Sequence, residues 1–203
     1  MVIEDTALSV TNGLWNIPPE LLARVEEYLD KGSLISYISC CKTLRATGVR
    51  TLLSAYPVML STYADVRSFC EFMHTDLSRR KSFLRSLTLD TPYPSPKAVL
   101  AQRARLAHAL INAPNLSQLE IGRCLKDILE RSSALFSAIQ SLPSLKALNM
   151  EPETGSWPYV ILRLHNAPIT ALEMGYLGID TPDAFTRHAS TLQELSVGAR
   201  FHG

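Results

Sequence analysis

Residues 116–121 read Leu116-Ser117-Gln118-Leu119-Glu120-Ile121. The final three positions alternate apolar, acidic, apolar, which is the period of a short half-buried strand, and Leu116 stands before them as a further apolar anchor. The same Leu-x-x-Leu-x-Leu frame, with conservative swaps, returns at Leu84/Leu87/Leu89, Leu145/Leu148/Met150, Ile169/Leu172/Met174 and Leu192/Leu195/Val197. The middle leucines are 87, 119, 148, 172 and 195, so successive copies follow at 32, 29, 24 and 23 residues. One strand this short cannot bury its leucines alone, whereas stacked copies can, so the recurrence predicts a repeat architecture.

The spacers carry a second periodicity. Pro96 to Ala113 sets Val99, Leu100, Leu106, Leu110 and Ile111 on one helical face and Arg103 and Arg105 on the other. Leu125, Ile128, Leu129, Leu135, Phe136, Ile139 and Leu142 form another stripe that stops at Pro143, and Thr181 to Ala189 has room for one or two turns after Pro182. Upstream, Val58-Met59-Leu60 reads as a degenerate first strand, and Asp65 to Leu77 places Val66, Phe69, Cys70, Met73 and Leu77 at helical spacing. Strand, turn, helix and return in this order resemble a leucine-rich repeat. Residues 116–124 match that pattern best, with Cys124 where the family carries Asn or Cys. The resemblance implies an α/β solenoid over residues 56–203. Short parallel strands and helices would form an irregular horseshoe of five to six repeats, truncated or uncapped at its C-terminal end. A generic α/β domain is the alternative, and the regular recurrence argues against it.

The first quarter of the chain is different. Asn16 to Arg50 reads as three short helices. Pro18 and Pro19 suit a first helical turn, where a missing N–H costs nothing. Leu21, Leu22, Val25, Tyr28 and Leu29 follow as one apolar stripe. Asp30-Lys31-Gly32-Ser33 interrupts it, with Gly32 as the expected stop and Ser33 as the expected N-cap. Leu34, Ile35, Ile38 and Cys41 make a second stripe; Leu44, Val49, Leu52 and Leu53 make a third, ending before Tyr56-Pro57. Three helices in about 40 residues are marginal alone and call for a neighbour or partner to cover their apolar faces.

The positions Ile17, Pro18, Glu20, Leu21, Leu22, Val25, Tyr28, Leu29, Leu34, Ile38, Cys41 and Lys42 resemble the F-box, over about a fifth of the chain. The chain departs from that pattern in two ways. Glu26 stands where the family usually has Phe, and Leu44-Arg45 fall where an aromatic often lies. The resemblance implies an F-box-like module over residues 14–55 that docks on a Skp-type adaptor and, through it, on a cullin–RING ubiquitin ligase. Ile17, Pro18, Leu21, Leu22, Val25, Leu29, Leu34 and Ile38 are the residues it assigns to that docking and to the small core beneath. The whole chain would then be a substrate receptor for protein degradation, cytoplasmic or nuclear, with the repeats holding a protein substrate.

If the frame leucines point inward, the alternate strand positions face the other way. The charged residues in that set are Asp90, Glu120, Glu151, Glu173 and Glu194, all acidic, while Lys97, Arg103, Arg105, Lys126, Arg131 and Arg187 fall on the spacers. Two readings of this segregation stand: a face that prefers a substrate with a basic segment, or chance among solvent-facing strand positions.

Net charge is +1 and 46% of residues are hydrophobic, so nothing indicates bulk attraction to nucleic acid or to a membrane surface. The opening MVIEDTALSVTNGLW has neither a basic leader nor a long apolar run and predicts no secretory signal. Cys40, Cys41, Cys70 and Cys124 lack the paired spacing of zinc sites and read as buried thiols in a reducing compartment. Arg79-Arg80-Lys81 reads as a solvated turn, Glu26-Glu27 as helix surface charge, and the five histidines as scattered surface or helix-face residues. There is no Gly-rich phosphate loop, no Gly-x-Ser-x-Gly elbow and no His-Glu-x-x-His. The expectation is therefore an adaptor without catalytic residues, metal or cofactor. Two other readings stand beside it. One is a non-ligase leucine-rich-repeat scaffold whose N-terminal helices only cap the solenoid. The other is a hydrolase or thiol enzyme, which requires a reactive Cys or Ser beside a His.

Overall fold

The structure, a computed structural model, describes residues 17–75, 80–90, 96–111, 113–122, 133–150, 164, 168–174 and 190–197. The chain divides between Leu52 and Leu53 into two compact units.

The first unit is helical: α1 (Pro19–Glu27), α2 (Lys31–Cys40) and α3 (Lys42–Ala55), the last turn of α3 belonging to the second unit. Pro18 is the N-cap of α1, and its carbonyl accepts the Leu21 and Leu22 N–H groups at 3.0 and 3.3 Å. The break between α1 and α2 differs from the sequence expectation. Asp30, not Ser33, caps α2, and Gly32 and Ser33 lie inside its first turn. The Asp30 carboxylate accepts both the Ser33 N–H and the Ser33 hydroxyl, each at 2.9 Å, and these bonds hold its pKa below the ordinary carboxylate value. A carboxylate that takes two donors from one residue outcompetes the serine for the capping role. Leu22, Leu34, Leu44 and Val49 fill the core of the unit. Gly48 lets α3 approach closely, since a Cβ there would collide with Ile38 and stand 3.4 Å from Tyr37 Cδ1.

The second unit is α/β. Its strands are β1 (Val58–Leu60), β2 (Ser86–Leu89), β3 (Gln118–Ile121), β4 (Ala147–Met150), β5 (Ala171–Met174) and β6 (Glu194–Val197). They form one open sheet of six parallel strands in chain order. Each Leu-x-x-Leu-x-Leu frame supplies a strand, and Val58–Leu60 is the first, as its sequence predicts. The middle leucines are in register: Leu87 pairs with Leu119, Leu119 with Leu148, Leu148 with Leu172 and Leu172 with Leu195.

A backbone ladder fixes that register at the strand entries. The Arg85, Ser117, Lys146 and Thr170 carbonyls each accept two N–H groups, from Ser117 and Gln118, Lys146 and Ala147, Thr170 and Ala171, and Gln193 and Glu194. The Ser117 and Thr170 hydroxyls add a further bond each to the preceding carbonyl of the series. At the exit of β3, Gly122 lies so close to Asp90 that a Cβ would fall 2.9 Å from the Asp90 Cα. Only glycine permits this backbone approach.

Among the described residues the β1–β2, β2–β3 and β3–β4 connections carry helices: α4 (Tyr63–Thr75), α5 (Arg80–Phe83), α6 (Pro96–Ile111) and α7 (Ser133–Gln140). α4 packs beside α6, and α6 beside α7. The frame residues Leu84, Leu87, Leu89, Leu116, Leu119, Ile121, Leu145, Leu148 and Met150 are buried, and so are Leu106, Leu110, Leu135, Phe136 and Ile139 of the helices. At β6 the pattern ends: Leu195 and Val197 are exposed. α4 begins two residues before the expected start because Thr62 and Asp65 cap it reciprocally. The Thr62 N–H donates to Asp65 Oδ2 at 2.8 Å, and the Asp65 N–H donates to Thr62 Oγ1 at 3.1 Å.

The Arg80-Lys81 pair is not a solvated turn. Arg80 lies over the Phe72 ring and donates to the Phe72 carbonyl, and Lys81 is 2% exposed. Expected features at Leu77, Arg79, Cys124, Leu125 to Arg131, Glu151 and Thr181 to Ala189 lie outside the described residues, as do the side chains of residues 96–103. Among the described residues no helix is long and apolar enough to cross a membrane.

Candidate functional site

Strand alternation sorts the sheet into two phases. The leucines occupy one, and the other forms two rows across the strands. Ser86, Gln118, Ala147, Ala171 and Glu194 share a register, and Thr88, Glu120, Asn149, Glu173 and Ser196 share the next. These ten residues, with Leu119, Leu148 and Leu172 beneath them, line a cavity of about 350 Å³. Sequence reasoning assembles this face because parallel strands in chain order keep equivalent frame positions side by side.

Of the five acidic residues expected there, Glu120, Glu173 and Glu194 line the cavity. Asp90 does not: it is exposed beyond the end of β2, against Gly122. Glu151 is outside the described residues. The Glu120 carboxylate is oriented by a neighbouring strand, since Thr88 Oγ1 donates to Glu120 Oε2 at 3.0 Å. Among the described lining residues none is basic. Among the described residues no group of three or more His, Cys, Asp or Glu side chains could hold a metal ion.

No family model and no curated protein matches the chain. Its chemistry is therefore read from its own surfaces.

The second candidate surface is on the helical unit. The single apolar stripe expected for α1 is in fact two. Leu22 turns inward and Leu29 is half-buried, whereas Ile17, Leu21, Val25 and Tyr28 stay exposed, Tyr28 at 85%. Ile35 of α2 is also exposed. Of the eight residues grouped for docking, Ile17, Pro18, Leu21 and Val25 are exposed, Leu29 and Ile38 are half-buried, and Leu22 and Leu34 belong to the core. The division follows helix geometry: residues 21, 25 and 28 share a face, and residues 22, 26 and 29 share its neighbour.

Glu26 corrects a further expectation. It is not surface charge but 2% exposed, among Gly48, Thr51 and Tyr37. Thr51 Oγ1 donates to Glu26 Oε2, while Glu26 Oε1 and the Tyr37 hydroxyl are buried without a hydrogen-bond partner. Burial pushes the Tyr37 phenol up, and the Glu26 carboxylate adds to the shift.

Two histidines that look scattered in sequence meet in space. The His74 and His108 rings stack at 4.9 Å, with 19° between their planes. Burial first, then His108, Lys81 and Arg105, hold His74 below the ordinary histidine value of 6.5. Helical spacing places each on its own helix but gives no sign of the pairing. The cysteines are not uniformly buried either. Cys70 is buried and Cys41 half-buried, but Cys40 is exposed.

Proposed function

We propose that this chain is a substrate receptor of a Skp–cullin–F-box type ubiquitin ligase. The helical unit serves as an F-box-like module that docks on the Skp-type adaptor. The strand units with their helices serve as a leucine-rich-repeat-like solenoid whose polar face holds a protein substrate. The observation that carries this reading is the row Ile17, Leu21, Val25 and Tyr28, left exposed by a unit that already has a core of Leu22, Leu34, Leu44 and Val49. Large apolar side chains gathered on one face of a small unit mark a surface made for a partner. On this reading ubiquitin transfer is performed by other subunits, and the receptor supplies proximity by raising the effective concentration of the bound substrate.

Co-expression with a Skp-type adaptor, followed by pull-down, tests the proposal. Capture is expected for the native chain and lost in Leu21→Asp combined with Val25→Asp. Both positions are exposed, so the double variant keeps its helical signal and melting temperature. If the native chain is not captured, or the double variant is captured equally well, the exposed row is not an adaptor surface and the scaffold reading replaces the receptor reading.

A further inference from the structure

We infer that the cavity on the strand face takes an extended protein segment carrying two cationic side chains about 10 Å apart. The inference deepens the receptor reading and rests on it only for the occupant being a protein.

Row geometry carries the argument. Ala147 and Ala171 are register neighbours, and their methyl groups form a low floor between the longer side chains of Gln118 and Glu194 in the same row. Glu120 and Glu173 stand in the adjacent row with one strand between them, so their backbones are roughly 10 Å apart at the usual strand spacing. Glu194 closes the far side. The hydrogen bond from Thr88 holds Glu120 in place before a partner arrives, which lowers the ordering cost of binding.

The chemistry of the occupant follows. Three carboxylates with no basic residue among the described lining set up a negative field that a concave, low-dielectric wall focuses. That field repels phosphates and acidic segments. The carboxylates do not converge on a point that one metal ion could occupy, so the complementary charge must be distributed. A polyproline II segment returns to the same side every third residue, after about 9.3 Å, which matches the Glu120–Glu173 separation. Arginine suits both ends, because its planar fork pairs with a carboxylate through two hydrogen bonds. Asn149 stands between the two carboxylates in their own row, and the alanine floor of the adjacent row leaves room for the peptide backbone.

The test uses the 203-residue chain and a fluorescein-labelled nine-residue peptide with two arginines three positions apart. The control is the same peptide with both arginines replaced by citrulline, which keeps shape and removes charge. Fluorescence anisotropy is expected to show saturable binding of the arginine peptide that weakens as salt rises. The citrulline peptide should bind at least tenfold more weakly. Glu120→Gln combined with Glu173→Gln should weaken the arginine peptide about tenfold, the sum of two modest exposed ion pairs. Ala147→Leu should do so by filling the floor.

Equal binding of the two peptides, or unchanged binding by the double variant, overturns the inference. The native chain with the citrulline control decides the charge question even if a variant fails to fold. Adaptor capture without arginine-dependent binding removes this inference and keeps the receptor reading. Arginine-dependent binding without adaptor capture keeps the inference and removes the receptor reading.

Discussion

The Thr51 hydroxyl donates to Glu26 Oε2 at 2.7 Å, joining α3 to α1 across 25 residues of chain. Glu26 is almost wholly buried, and its other carboxylate oxygen has no partner. Thr51→Val therefore strips a buried carboxylate of a donor and is expected to cost about 1–3 kcal/mol. Tyr37→Phe removes a buried hydroxyl that lies near Thr47 but makes no well-formed hydrogen bond, so stability should change by less than about 1 kcal/mol. Urea unfolding of both variants checks the pair. A loss above about 1 kcal/mol in Tyr37→Phe would contradict the unpartnered hydroxyl.

Gly48 inverts a familiar rule. Within a helix, Gly→Ala ordinarily stabilises by up to about 1 kcal/mol. Here the added methyl would collide with Ile38 Cγ2, while Tyr37 Cδ1 and Glu26 Oε1, at 3.4 and 3.5 Å, stay at ordinary contact distance. Gly48→Ala is expected to lower the melting temperature, and a rise on thermal circular dichroism would show that α2 yields without cost.

How much of this was legible in the sequence depends on how far each signal travels along the chain. The strands were legible because each is announced within six residues, and parallel order then builds the polar face without further information. The α1–α2 break is not legible locally, because Gly32 and Ser33 carry the usual stop and cap chemistry, yet Asp30 takes both Ser33 donors. Glu26 looked like surface charge because its partner Thr51 lies on another helix. The His74–His108 stack joins α4 to α6, and no local pattern encodes it. Asp90 kept the phase of the alternation but sits past the end of its strand, where phase no longer places a side chain in the cavity.

The histidine stack makes stability depend on pH with a definite sign. His74 has its folded-state pKa below 6.5, chiefly through burial and then through His108, Lys81 and Arg105. The unfolded chain thus takes up a proton before the folded one does, and stability falls as pH drops through about 6.5 and below. Chemical denaturation at pH 7.5 and pH 5.5 should show the native chain weaker at the lower pH and His74→Gln weakened less. Asp30 and Glu71, whose pKa values are lowered, lose their contributions only in the carboxylate range below this window. An identical pH slope in the variant would remove His74 as the source.

Thiol reactivity should divide the cysteines. Burial pushes Cys70 up to about 11, so at pH 8 only about one part in a thousand is thiolate. Cys40 is exposed on α2, its thiol donating to the Ser36 carbonyl at 3.3 Å. Brief iodoacetamide treatment of the native chain, followed by peptide mass spectrometry, should find Cys40 alkylated and Cys70 intact, with Cys70 reacting only after denaturant is added. Early modification of Cys70 would contradict its burial.

The paired N–H groups that enter the Arg85, Ser117, Lys146 and Thr170 carbonyls, joined by the Ser117 and Thr170 hydroxyls, make each strand from β3 onward answer to its predecessor. Side chains of the two polar rows take no part in those bonds, so the vocabulary of the polar face is separate from the grammar that orders the strands. Mutation can rewrite that face one strand at a time, and a lineage or a designer could change its chemistry without relearning how to fold.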